Sequence, residues 1–413
     1  MGGKAILLVV LGFSLTFLVL GVNFGHISNQ AVQNEVTYYN QSIAHSLAVS
    51  GANMEANNVY QHQDWTQPLT INDFQGGDID VNIQILDAFR NIRRINSMGI
   101  YQNDTASVQI TLQPSKFSKF AYYSEDENGI WWTDGDSVDG PFHTQDYIHV
   151  HGHPVFNGKV TTLRGIDKYN YWGHGDSPII NGTYQQGVDM PMPSNNIVDL
   201  KTSAEQDGHK FTSHDTVYLN FDQDSLKYKY AYNGPDSTVL LSDFAHNGVL
   251  FANNAVLRIK GTVKGHYTVG ASGSSSGTEG NIYIDDDIVY NSDPRTDPYS
   301  NDLLGIVAQK NVLITDNTAN RHDVYIDAAI YSQTGGFGAD KYKTRPNSGT
   351  IYLLGGISQH LRQAVGTFNA WGIQTGFNKN YTYDERLMTA SPPDYPNTGS
   401  LEIVSWFEKN GGL

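Results

Sequence analysis

The sequence predicts a mainly β protein with one long N-terminal α-helix, a small antiparallel sheet and an irregular parallel β-solenoid. Three observations lead there. Residues 5–22 hold no charge, and an apolar pattern continues beyond them at helical spacing. Asp78 to Leu86 alternates polar and apolar as DIDVNIQIL, the period of a strand. From Gly140 onward, short β-branched runs alternate with Gly, Asn and Asp turns.

The first element spans residues 1–60. Its apolar part, AILLVVLGFSLTFLVLGV, presents Ile6, Leu7, Leu8, Val9, Val10, Leu11, Phe13, Leu15, Phe17, Leu18, Val19 and Leu20. Eighteen helical residues rise about 27 Å, close to the thickness of a bilayer's hydrocarbon core. Lys4 precedes the run and the next acid is Glu35, which predicts insertion with the N-terminus inside. A cleaved secretory signal is the competing reading, but no small-residue cleavage site follows the run. Val32, Val36, Tyr39, Ile43 and Leu47 then recur every three or four residues, with small Ala48, Gly51 and Ala52 after them. No proline occurs before Pro68. One rod of about 55 residues and about 80 Å fits this pattern. A helix apolar all round in its first half and on one face in its second needs two kinds of neighbour. The first half suits lipid or identical helices, and the second suits its own domain.

Residues 3–60 resemble the N-terminal region of type IV pilins and type II secretion pseudopilins. The resemblance implies a leader cleavage between Gly3 and Lys4, or numbering that already begins on a mature Met1. It also implies self-association or pairing with other pilin subunits through the helix. The chain would sit in the inner membrane before assembly and afterwards in an extracellular filament on a bacterial cell surface. The family's usual glutamate at mature position five is replaced by Leu8, or by Ala5 on the second numbering. Some large minor pilins of the tip type also lack it, so a tip component is one expectation and a main subunit the other.

Residues 61–135 read as a small pilin-like β subdomain. Gln61 to Gln75 reads as linker, and strands follow at Asp78 to Leu86, Arg94 to Tyr101 and Ser107 to Leu112. The aromatic stretch Phe117 to Trp132 reads as core, with a sugar-binding platform as the sharper alternative. Residues 136–413 read as a large solenoid-like domain. Its runs include VLRIKGTV (256–263), NIYIDDDIVY (281–290), LLGIVAQKNVLI (303–314), VYIDAAIY (324–331) and TIYLLGGI (350–357), with no helix between them. The runs do not alternate cleanly, which favours strands buried on both faces over the alternative two-sheet β-sandwich. SLEIVSWF (400–407) is expected to dock as the last strand. This portion resembles an uncharacterised family of large pilin-like bacterial surface proteins. The matching stretches are GPFHTQDYIHVHGHPVFNGKVT (140–161), DLLGIVAQKNVLI (302–314), GIQTGFNKNYTYDERL (372–387) and PPDYP (392–396).

The net charge of −16 argues against nucleic-acid binding, which needs clustered cations to displace counterions. With no cysteine in the chain, disulfides, thiolate zinc sites and haem attachment through CxxCH are excluded. No G-x-S-x-G, H-E-x-x-H or P-loop occurs. His149, His151 and His153 alternate onto one face of an extended strand beside His143, a spacing that can hold Zn²⁺ but equally makes a plain histidine ladder. Asp285, Asp287 and Asp293 lie among acids that suit Ca²⁺ or simply a solvated loop. No cofactor is required by any of this. The function expected is a structural pilin-like subunit of a filament or its tip, not an enzyme. A membrane-anchored adhesin or glycan-binding module is the alternative, and a polysaccharide-active β-helix enzyme the third reading.

Overall fold

A computed structural model of the chain describes residues 2–169, 175–274, 276–369 and 372–410. The chain divides into two compact units. One holds the residues up to Pro114 together with those from Ser400 onward, and the other is Ser115–Gly399.

In the first unit a single helix, α1 (Gly2–Gln61), precedes strands β1 (Leu69–Phe74), β2 (Gly77–Asp87), β3 (Ile92–Tyr101) and β4 (Asp104–Lys116). With the C-terminal strand Asn397–Asn410 beside β4, they form one sheet in the order in which the chain lays them down. Neighbours among β1 to β4 run antiparallel. Burial alternates along β3, so that Ile95, Ser97 and Gly99 share one face. That face packs on the last third of α1, where Leu47, Ala48, Ala52 and Val59 meet Ile79, Val81, Val108 and Ile110. β1 falls inside the stretch expected to be linker. Its apolar residues Leu69 and Ile71 pair with Val81 and Ile79, a signal too short to separate from the turn-like residues around it.

Glycine makes the close packing of helix on sheet possible. A Cβ built on Gly99 would lie 2.1 Å from the carbonyl oxygen of Ala44 and 2.5 Å from the amide of Ala48. Those are backbone atoms of α1 and cannot swing aside. Gly99→Ala is therefore expected to lower stability by about 1–3 kcal/mol, the usual cost of overpacking. Denaturant unfolding of the full chain in detergent checks this, with Gly129→Ala excluded as a control because Gly129 has φ +62°.

The second unit is mainly parallel. One open stack runs through His209–Phe211, Val249–Ala252, His266–Ala271, Leu303–Ala308, Val324–Ser332, Asn347–Leu361, Tyr122–Asp126, Phe142–Thr144, Val160–Thr162 and Tyr184–Gln186. A second runs through Thr216–Gln223, Val256–Val263 and Ile282–Tyr290 to Val312–Ile314 and Phe337–Ala339. Two shorter parallel sheets follow, Trp132–Thr133 with Tyr147–His151 and Gly165–Lys168, and Ser137–Val138 with Val155–Phe156 and Ile179–Ile180. No sheet closes on itself: the outer members His209–Phe211 and Tyr184–Gln186 each pair on one side among the described residues.

The parallel partners in these stacks are strands further along the chain, not the next one, although Thr216–Gln223 also forms a hairpin with Ser225–Lys229. Hairpin-linked sandwich strands do the opposite. Equivalent residues consequently stack in register: Val269, Ile306, Ile330 and Ile357 form one buried aliphatic row that ends on Tyr122. Each expected run from 256 to 357 is strand, the run 303–314 being two, Leu303–Ala308 and Val312–Ile314. The expectation of no helix after residue 140 is corrected. Asn196–Gln206 is an α-helix, and it buries Ile197, Leu200 and Ala204 in a cluster with Val249 and Phe251. The i, i+3, i+7 spacing was present, but the helix is three turns long and otherwise polar.

Candidate functional site

The N-terminal helix divides sharply. Residues 3–39 are exposed on every side, whereas Ala44, Leu47, Ala48, Ala52 and Val59 are buried. No part of the most apolar 18-residue window is covered by the rest of the chain, and by length and composition this helix can cross a membrane. All twelve assembly residues named from the sequence, from Ile6 to Leu20, are exposed. Leu7 and Phe17, for example, are each 70% exposed. An apolar surface of this extent on a polar protein marks a contact with lipid or with other chains. Gly3 and Lys4 lie in the same helix.

The histidines of the strand Tyr147–His151 alternate outward as expected, with Ile148 and Val150 buried between them. They do not converge on one point. His149 pairs through Nδ1 with Asp167 at 2.9 Å, and His151 lies edge-on to the Tyr169 ring at 4.7 Å. Gly152, at φ +88°, turns the chain, and His153 lies 3.4 Å from Asp134. The three aspartates are likewise engaged separately. Asp285 receives both arms of Arg258, at 2.9 and 2.5 Å. Asp287 accepts from the Tyr325 amide, and burial lifts its carboxyl above the usual range. Asp293 pairs with Arg295, which holds its carboxyl low. Among the described residues no three His, Asp or Glu side chains come together as a metal site. Arg386, beside the prolines, grips Asp384 at 2.9 and 2.6 Å and donates to the Ser300 carbonyl, a structural clamp.

A buried ionic cluster in the second unit escaped the sequence reading. Glu127 is fully buried and accepts from Arg362 at 2.7 Å, Trp132 Nε1 at 2.9 Å, the Tyr122 hydroxyl at 2.9 Å and the Ser124 hydroxyl. The Arg362 guanidinium lies 3.9 Å from the centre of the Trp132 ring. Burial disfavours its charge, but Tyr122, Glu127 and Asp136 more than offset this and raise its pKa. Nearby, Lys379 donates to Asp136 at 2.8 Å. Burial pushes the Asp136 carboxyl up, yet Lys379, the Thr133 amide and Arg362 bring it below the ordinary value. Tyr122, Trp132, Asp136, Arg362 and Lys379 line a cavity of about 150 Å³ with Gln359 and Tyr381, and Glu127 lies behind its wall. Glu127 and Arg362 stand 235 positions apart, so no local spacing could reveal the pair.

The stretch Phe117 to Trp132 is mostly core, with Phe117, Tyr122, Tyr123 and Trp132 buried and Trp131 half-buried. No protein-family model matches the chain, and no curated protein matches its sequence. Among solved structures, the chain is similar to the competence-associated pilin ComZ from Thermus thermophilus. The overlap covers 91% of this chain and 98% of that one, at 11% identity and a TM-score of 0.36. The long apolar N-terminal helix of this chain fits a pilin-like protein.

His143, the remaining histidine of the sequence cluster, is fully buried and stacks on Tyr123 at 5.3 Å. Its ring nitrogens pair with Thr161 at 2.8 Å and Gln145 at 3.2 Å. Burial lowers its pKa from 6.5 to about 4, against smaller opposing effects of Gln145 and Asp189. The unfolded chain therefore binds a proton that the folded chain refuses, and stability falls as pH drops from about 6.5 to about 4. The full loss is about 3 kcal/mol. Asp327 acts in the opposite sense, because burial raises its pKa to about 6 and its stabilising effect is lost as pH rises through that value. Wild-type pH curves mix the two. Subtracting the curve of His143→Gln isolates the histidine, and the difference is expected to grow by about 3 kcal/mol toward pH 4.

Proposed function

We propose that this chain is a pilin-like structural subunit of a surface filament, with the apolar part of α1 as its assembly element and the β-rich units displayed to water. The observation that carries the reading is the division of α1: 37 exposed residues, 3–39, precede a segment fitted to its own sheet. A helix apolar all round is stable only among lipids or other helices. In this reading the helix waits in the inner membrane and then packs against the helices of like subunits. Covering its apolar surface supplies the main assembly free energy, about 25 cal/mol per Å². The parallel stacks are read as an irregular solenoid, whose stiffness suits a displayed module. Cleavage between Gly3 and Lys4 belongs to the same proposal.

Cysteine cross-linking tests the reading cleanly, since the chain has none of its own. Single cysteines at Phe13 and at Leu20 are expected to give disulfide-linked dimers and higher species in surface-sheared filaments. Recovery of only soluble product lacking the apolar segment would overturn the proposal, because the segment would then be an export signal. An adhesin reading draws on a different observation, the cavity beside Trp132.

A further inference from the structure

We infer that the cavity beside Trp132 in the second unit binds one neutral sugar ring, the terminal unit of a glycan that continues across Trp131 and Tyr169. Size limits the ligand first. The cavity holds about 150 Å³, and a cavity of that volume takes a ring of benzene's size, so it admits no more than one sugar ring.

Chemistry limits it next. Val138, Leu353 and Val365 supply apolar wall, while Asp136, Lys379 and Tyr381 supply polar wall. A hydrocarbon would leave the Tyr381 hydroxyl without a partner, at roughly 1–3 kcal/mol for a group so buried, and would use none of the spare hydrogen-bonding capacity of Asp136 and Lys379. A charged ligand fares worse. The two cations and two acids here already pair, Lys379 with Asp136 and Arg362 with Glu127. Separating a buried pair is strongly unfavourable, and the other acid of the lining, the exposed Asp139, accepts from the Asn157 amide. A ring with C–H faces and hydroxyl edges meets both kinds of wall. Its adjacent hydroxyls can donate to Asp136 and accept from Lys379 without breaking their bond, since a carboxylate and an ammonium each have spare capacity.

Tyr381 is the specific pointer. It lines the cavity, and its hydroxyl has no hydrogen-bond partner among the described residues. Burial raises its pKa, so the hydroxyl stays protonated and available as donor and acceptor. A ligand hydroxyl would complete it. Glu127 and Asp136 form no acid pair for cleaving the glycan: Glu127 does not line the cavity and commits its oxygens to Arg362, Trp132 and Tyr122, and Asp136, held ionised, has no proton to give a leaving group.

The outer surface supports the glycan over a free sugar. Trp131 also lines the cavity and is half-buried. Its ring lies 5.3 Å from that of Tyr169 and 5.2 Å from that of His149, and His151 lies 4.7 Å beyond Tyr169. These rings extend the apolar surface from the cavity to solvent. The site consists wholly of second-unit residues, so it stands whether or not α1 assembles.

The test uses the full chain in detergent micelles and a panel of neutral hexoses and of oligosaccharides ending in each. Saturation-transfer NMR is the readout, with thermal unfolding to verify the fold. At least one hexose is expected to bind, and Tyr381→Phe, which removes only a hydroxyl, is expected to weaken it about tenfold with the unfolding midpoint unchanged. Tyr169→Ala, outside the cavity lining, is expected to weaken the matching oligosaccharide about tenfold and the free hexose less than about twofold. Absence of transfer for every hexose at about 20 mM overturns the site, and so does binding that Tyr381→Phe leaves unaltered. Oligosaccharide binding indifferent to Tyr169→Ala overturns the glycan half and assigns the cavity to free sugar.

Discussion

Leu11→Arg is expected to remove the chain from both membrane and filament fractions. Leu11 sits near the middle of the uncharged run 5–22 and is exposed in the isolated chain. In water an arginine there would be harmless and would even improve solubility. In a bilayer it costs about 3 kcal/mol at mid-depth. That corresponds to a loss of about a hundredfold in the inserted population. Packing among other apolar helices imposes a similar penalty, since no acid lies between Lys4 and Glu35 to pair with the new charge. Gln33→Arg is the control. Gln33 is also exposed but lies outside the uncharged run, and the change is expected to leave assembly within about twofold. Membrane fractionation and negative-stain counts of filaments read both variants. Equal incorporation of Leu11→Arg and wild type would mean that the segment meets neither lipid nor apolar neighbours.

The contrast between these positions explains what the sequence disclosed. α1 is legible because its signal is local: eighteen uncharged residues, then Val36, Tyr39, Ile43 and Leu47 at helical spacing. The strands of the parallel stacks are legible for the same reason, since β-branched runs such as VLRIKGTV carry their preference within eight residues. The helix Asn196–Gln206 was not, because three buried apolar residues on a polar segment look like loop until Phe251 is placed beneath them. The histidines show a further limit. Alternation correctly put His149 and His151 on the outer face, but the sequence carries no sign of which side chain each will meet. Asp167 and Tyr169 take them because a parallel neighbour, Gly165–Lys168, lies one rung away. Glu127 is the extreme case. Its surroundings, YYSEDENGIWW, look like a surface turn, and only the pairing of Tyr122–Asp126 with Asn347–Leu361 brings Arg362 to it.

Glu127→Ala is expected to destabilise the protein by about 3–5 kcal/mol, through the charge left behind more than the bond removed. The side chains of Glu127 and Arg362 are 0% and 7% exposed, so the guanidinium cannot recover water when its partner goes. The Ile130 carbonyl, at 3.1 Å, satisfies one proton and supplies no charge. Asp136 helps at longer range but is committed to Lys379. Trp132 Nε1 and the Tyr122 hydroxyl also lose their acceptor. A second variant separates these contributions. Glu127→Leu combined with Arg362→Met removes both charges and fills similar volume, and it is expected to recover most of the loss, because buried pairs gain little over well-packed apolar replacements. Denaturant midpoints of the full chain, followed by tryptophan fluorescence, read all three proteins. If the double variant were as unstable as Glu127→Ala, the four donors converging on Glu127 would be the source of stability. If Glu127→Ala cost under about 1 kcal/mol, water would have to reach Arg362, and the cavity would be more open than its lining implies.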